Sequence, residues 1–142
     1  MTIATILHSK GNEVVTLDAG SSVGEAVTVL AEHRIGAAPV LDGGRIAGMF
    51  SERDLIHAVR AHGRDALDRT VGEVMSAPAI TVAPGDSVLG ALSLMTRRRV
   101  RHLPVVEGEA MIGVVSIGDL VKYRIDGIEA DAAAMRDYIQ SA

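Results

Sequence analysis

The chain has 142 residues, 48% of them hydrophobic and only 2% aromatic, with no Trp and a formal net charge of −4. That length fits one compact domain or two small units sharing a core, and the core must be aliphatic. Few aromatics and net negative charge argue against binding to single-stranded nucleic acid or to anionic membranes, and the absence of Cys excludes disulfides, thiolate nucleophiles and Cys-ligated metals.

From the N-terminus, Met1 to Lys10 shows no basic stretch followed by a long apolar run, so no signal peptide is visible. No apolar run has the length of a membrane span, and a soluble cytoplasmic protein is expected. Val14 to Leu17 reads as a short β-branched strand ending in a turn rich in Gly, Asp and Ser. Ser22 then caps a helix with Val23, Ala26, Val27 and Leu30 at helical spacing. Two apolar strands come next, Ala38 to Leu41 and Arg45 to Phe50, around Asp42-Gly43-Gly44, which is a hairpin signal. A second helix starts at Ser51. Ala61 to Gly72 is polar and reads as a connector, and Val71 to Met75 looks like a short lead-in to the second half of the chain.

That second half repeats the first unit. A shift of 65 residues (81 minus 16) lays Thr16 to Val23 over Thr81 to Val88 without a gap. It also carries Ala26 to Ala91, Pro39-Val40 to Pro104-Val105, Gly43 to Gly108, Gly48 to Gly113, Ser51 to Ser116 and Asp54-Leu55 to Asp119-Leu120. Such self-similarity marks a duplicated supersecondary unit. The second copy has a strand at Ile80 to Val82 and a helix capped by Ser87 with Val88, Ala91, Leu92 and Met95 inward. Its hairpin runs from Leu103 to Val106 and from Ala110 to Val115 around Glu107-Gly108-Glu109, and its second helix starts at Ser116. The order is β-α-β-β-α, twice, and the fold class is α/β. Val121 to Ile139 continues as a helix, with Ile125, Ile128, Ala132, Met135 and Ile139 in a stripe too narrow for a core helix. That stripe is expected to pack on the body or on a second copy of the chain.

The chemistry concentrates in Gly48-Met49-Phe50-Ser51-Glu52-Arg53-Asp54 and its echo Gly113-Val114-Val115-Ser116-Ile117-Gly118-Asp119. In each, a strand ends and a helix begins, with a hydroxyl at the cap and a carboxylate three residues on. A helix N-terminus suits a phosphate, and an ionised carboxylate accepts two hydrogen bonds, as from a ribose diol. Ser-x-x-Asp is also an ordinary capping arrangement. Two copies in register, each preceded by Gly at the same distance, favour ligand binding. Elsewhere, Arg97 to Arg99 read as the exposed end of a helix, where cations suit the dipole. His57 and His62 miss the i, i+4 spacing of a shared face, and His8 and His33 have no visible partner, so no metal site is expected. There is no Walker-type loop and no Ser-His-Asp pattern with supporting context, so no enzymatic activity is expected.

Residues 14 to 58 and 79 to 123 resemble two cystathionine-β-synthase (CBS) domains, which together form a Bateman module. The features carrying the resemblance are the two Gly-h-h-Ser-x-x-Asp elements (h, hydrophobic) and the pre-proline strands at Pro39-Val40 and Pro104-Val105. On this reading residues 1–62 form the first repeat, 63–72 the connector, 73–124 the second repeat and 125–142 a C-terminal helix. The resemblance implies a pseudo-symmetric pair with two clefts. The first would combine Ser51, Arg53 and Asp54 with Thr81, Val82, Arg101, His102 and Lys122. The second would combine Ser116 and Asp119 with Thr16, Leu17, Ala37 and Ala38. Gly36 and Ala37 stand where the other copy has Arg101 and His102, and Gly118 stands where it has Arg53, so the first cleft is expected to hold phosphate more tightly. The resemblance further implies AMP, ADP or ATP as ligand, with the Asp on the ribose and the Ser near the phosphate. NAD(H) is an alternative because it carries the same adenosine half, and a ligand-free interaction module is the alternative of a different class. It also implies a homodimer that senses energy state and acts on a regulated protein not identifiable from sequence, with no catalytic cofactor.

Overall fold

Two serines set the helix starts that the duplicated pattern anticipates. In the computed structural model, which describes residues 1–11 and 13–141, Ser22 Oγ accepts from the Glu25 N–H and Ser87 Oγ from the Gly90 N–H. Each satisfies a donor that a helix N-terminus leaves open. The helices so capped are α2 (Val23–His33) and α5 (Val88–Arg98); α2 buries Val23, Ala26 and Leu30, and α5 buries Val88, Ala91 and Met95 at matching positions. Both stop on an arginine in the left-handed region, Arg34 and Arg99.

The hairpins form where the turn signals lie. Strand β2 (Ala37–Asp42) pairs antiparallel with β3 (Arg45–Ser51), and β4 (His102–Glu107) with β5 (Ala110–Ser116). Gly43 and Gly108 adopt positive φ at the two turns, as tight hairpin loops require. The registers match, with Ala37 opposite Ser51, His102 opposite Ser116 and an irregularity after Val40 and after Val105.

The first strand of each copy is shorter than its β-branched residues suggest. β1 (Leu17–Asp18) runs parallel to β2, and the second copy keeps only a bridge from Val82 to Val105. The Val82 N–H donates to Pro104 O and its carbonyl accepts from the Val106 N–H. Pro84 has no N–H with which to extend that ladder.

The largest departure from the sequence reading is at the two lead-in segments. Ile3 to Lys10 form a helix, α1, whose Ile3, Ile6 and Leu7 are buried with Val88, Met95, Leu103, Val115 and Leu120 of the second repeat. The Ile3 N–H donates to Asp86 O and the Ala4 N–H to Pro84 O. Conversely, α4 (Val71–Val74) inserts Val71 among Val23, Leu30, Val40 and Phe50 of the first repeat, and its Val71 N–H donates to Ser21 O. Each lead-in therefore completes the core of the repeat it does not precede. The polar stretch between the repeats is also structured: α3 (Glu52–His62) runs into a 3-10 turn, Gly63–Asp68, whose Ala66 is fully buried.

This crossing explains both motif glycines. A Cβ on Gly48 would lie 2.5 Å from Ser76 O and 2.9 Å from Met75 Sδ, and one on Gly113 would lie 2.6 Å from Leu7 Cδ2. The halves meet through their hairpins, β2 against β4 and β3 against β5. The chain ends in one long helix, α6 (Ile117–Ser141).

Candidate functional site

The strand end at Ser51 and the start of α3 form a complete capping box. Ser51 Oγ accepts from the Asp54 N–H, and the Ser51 N–H donates to Asp54 Oδ2 at 2.9 Å. The Ser51 hydroxyl also reaches Oδ2, at 3.0 Å. A donor that the sequence reading missed reaches the other oxygen: Ser76 Oγ, from the segment after α4, donates to Asp54 Oδ1 at 2.7 Å. Asp54 is thereby buried, at 8% exposure, with both oxygens bonded. Arg53 stays exposed and donates to Arg99 O at 3.2 Å, tying α3 to the end of α5 in the other repeat.

The matching start of α6 is more open. The Ser116 N–H donates to Asp119 Oδ2 at 2.9 Å and the Asp119 N–H to Ser116 Oγ at 3.1 Å. Here the additional donor is Lys10, from the end of α1, whose Nζ lies 2.7 Å from Asp119 Oδ2 and 2.8 Å from Val114 O. The Asp119 side chain keeps 27% of its exposure. Burial works to raise its pKa, but the Lys10 hydrogen bond and the Ser116 N–H outweigh that, and the carboxyl is held below its ordinary value. The expectation that this side lacks cations therefore needs correction. Lys10 lies before the first matched position, Thr16, and the second copy has Met75 at the same offset, so aligning the two copies could not reveal it. A lysine shortly before the first strand was the one available signal.

His102 opens β4 and is half-buried. Its pKa is lowered, first by burial and then by the Lys10 cation, with Arg101 adding to this and the carboxylates of Asp119 and Glu52 opposing it. It thus feels charges from both helix starts, α3 through Glu52 and α6 through Asp119. Arg101 is exposed, and its carbonyl accepts from the Ile117 N–H. Gly36, the matching position, accepts likewise from the Glu52 N–H. Thr16, Thr81 and Lys122 are exposed, whereas Leu17, Ala37, Ala38 and Val82 are buried. Of the expected site residues, the structure joins Ser51 with Ala37 and His102 with Ser116 across their hairpins.

Two open concavities lie beside these groups rather than on them. One, of about 330 Å³, runs between the end of α2 and the start of α3 and is lined by Arg34, Gly36, Glu52 and Leu55 among others. The other, of about 480 Å³, lies along α1 and includes His8, Pro84 and Ile112. Among the described residues, no cluster of three His, Asp or Glu could hold a metal ion.

A family model for the CBS domain matches residues 7–61 and 71–126. The chain is 34% identical over 148 residues to the mitochondrial CBS domain-containing protein CBSX3 of Arabidopsis thaliana, covering 98% of this chain and 72% of that protein. Its fold is similar to the crystal structure of a CBS-domain containing protein from Agrobacterium tumefaciens, with a TM-score of 0.83 and 37% identity, covering 87% of this chain and 92% of that one. It is also similar to a CBS domain protein from Pyrobaculum aerophilum complexed with AMP, with a TM-score of 0.74 and 29% identity over 84% of this chain and 89% of the other.

Proposed function

The chain belongs to the CBS domain family, carrying two copies in tandem, and we propose that it is a regulatory module that binds an adenosine nucleotide between those copies. The observation that carries this reading is the doubled helix start. In each copy an N-terminus with a Ser cap, suited to phosphate, stands beside an Asp whose carboxylate is met by a donor from outside its own repeat. A ribose hydroxyl has the same chemistry as the Ser76 hydroxyl at Asp54 and can take its place. At Asp119 a diol competes with Lys10 or shares the carboxylate with it. The AMP complex of the Pyrobaculum relative supports adenosine as the common part of the ligand.

Phosphates at the first cleft are held by the α3 N-terminus with Ser51, Arg53, Arg101, His102 and Lys122, and at the second by Ser116 and Lys10. The adenine lies against Thr81 and Val82 in one cleft and against Thr16, Leu17, Ala37 and Ala38 in the other. AMP, ADP and ATP fit this assignment, the module has no catalytic step of its own, and it acts on a partner protein.

The test is a thermal-shift screen with AMP, ADP, ATP, NAD, S-adenosylmethionine and GTP. A ligand at about 100 times its Kd adds about 2.7 kcal/mol, which raises Tm by roughly 5–10 °C for a chain of this size. The reading expects a shift confined to adenosine compounds and lowered in Asp119→Asn. It also expects Lys10→Met to weaken phosphorylated ligands more than adenosine. No shift with any adenosine compound overturns the reading in favour of a ligand-free interaction module.

A further inference from the structure

Helix α1 lies along the root of α6 and meets it at both ends. At one end Lys10 reaches Asp119, in the first turn of α6. At the other, a Cβ on Gly127 would lie 3.1 Å from Cε of Met1, which stands just before α1. The two places on α6 are eight residues apart (127 minus 119), about 12 Å along a helix, which is also the length of the eight-residue α1. Gly127 marks where α6 leaves the body, because from Ile128 onward every described residue except Ala133 is exposed. Most of α1 is held by its buried Ile3, Ile6 and Leu7, but its last turn depends on Lys10. Among the described residues, the Ser9 hydroxyl bonds only to Ile6 O within the helix, and no side-chain hydrogen bond ties His8 to another element.

We propose that Lys10 is a switch by which the second cleft controls α1 and, through it, the root of α6: a ribose diol on Asp119 displaces Lys10, and a phosphate on the same ligand holds it again. This switch rests on the nucleotide reading of that cleft. Asp119 Oδ2 accepts from both the Ser116 N–H and Lys10, which fills its two lone pairs, whereas no donor among the described residues reaches Oδ1. A diol straddling both oxygens needs a place on Oδ2. The Ser116 N–H is fixed by the backbone, so the ammonium on its flexible stem gives way. It is easily moved, since the Lys10 side chain is 38% exposed and exposed ion pairs are weak. With AMP, the phosphate at the α6 N-terminus gives Lys10 a new anion. Adenosine supplies none, and the last turn of α1 frays. The first cleft has no such switch. The residue equivalent to Lys10 is Met75, packed at Gly48, and Asp54 is met instead by the neutral Ser76 hydroxyl.

Hydrogen exchange of the Leu7 to Gly11 amides in the full chain, followed by NMR, tests this, with calorimetry to establish binding. Saturating adenosine is expected to speed their exchange roughly two- to fivefold, and AMP to leave them as protected as in the chain alone. Lys10→Met without ligand is expected to match the adenosine rate, and Lys10→Arg to keep the parent rate. The α6 amides from Tyr123 to Gly127 are expected to follow those of α1. Adenosine and AMP that bind and act alike on α1, or a Lys10→Met chain as protected as the parent, overturn the switch and leave the nucleotide reading standing. An α1 that loosens while α6 stays unchanged overturns the coupling to α6. Failure of both compounds to bind overturns the nucleotide reading and the switch with it.

Discussion

Asp54 illustrates how one motif serves structure and binding together. Its carboxylate closes the capping box on α3 and holds Ser76, so its removal takes the acceptor from the Ser51 N–H and from the Ser76 hydroxyl. Asp54→Ala is expected to lower stability by about 1–3 kcal/mol in urea denaturation, through the lost hydrogen bonds to a charged acceptor. The more exposed Asp119 is expected to cost less on the same substitution. His102 gives a pH signature. Its folded pKa lies below its ordinary value, so the unfolded chain takes up the proton more readily. Its contribution to stability is complete above the unfolded pKa of about 6.5 and is lost as pH falls through that value toward the folded one. His102→Gln should flatten the stability profile over this range. A phosphate beside the ring pushes the other way, so AMP, unlike adenosine, should bind more tightly as pH falls through the same window, and calorimetry should detect proton uptake.

The elements that matter most are the short ones. An eight-residue helix such as α1 is unstable alone, and α4 has only four residues; both exist because Ile3, Leu7 and Val71 are buried in cores assembled elsewhere. The two motif glycines measure how tightly these segments press on the hairpins. Gly48→Ala would drive a methyl into a backbone carbonyl and Met75, whereas Gly113→Ala meets only the end of a leucine side chain. Overpacking of this kind typically costs about 1–3 kcal/mol. Gly48→Ala should lie at the upper end and Gly113→Ala at the lower end, measured as shifts in the urea midpoint. Equal shifts would mean that the approach of α4 is looser than these distances indicate.

Across the whole molecule, the crossed lead-ins make the two repeats interdependent. A fragment of residues 1–62 lacks Val71, and a fragment of 63–142 lacks Ile3, Ile6 and Leu7, so each has a gap in its core. Neither should fold alone, and mixing should restore helical circular dichroism. A cooperatively folding 63–142 fragment would show that α1 is dispensable. The repeat, the capped helices, the hairpins and both Ser-x-x-Asp elements are legible in the chain because they rest on local signals: caps, turn glycines and periodicity within about 20 residues. The 65-residue offset supplied the pairing of equivalent positions. Sequence alone did not reveal the helix at Ile3 to Lys10, the exchange of lead-ins, Ser76 on Asp54 or Lys10 on Asp119. Lys10 and Asp119 are 109 residues apart, and no local propensity records a contact of that span. Sequence by itself determined the duplicated unit and the residues that cap and could bind. Only the tertiary structure decided which segment completes which core and which donor meets each carboxylate, because burial and long-range hydrogen bonding act on chains already brought together.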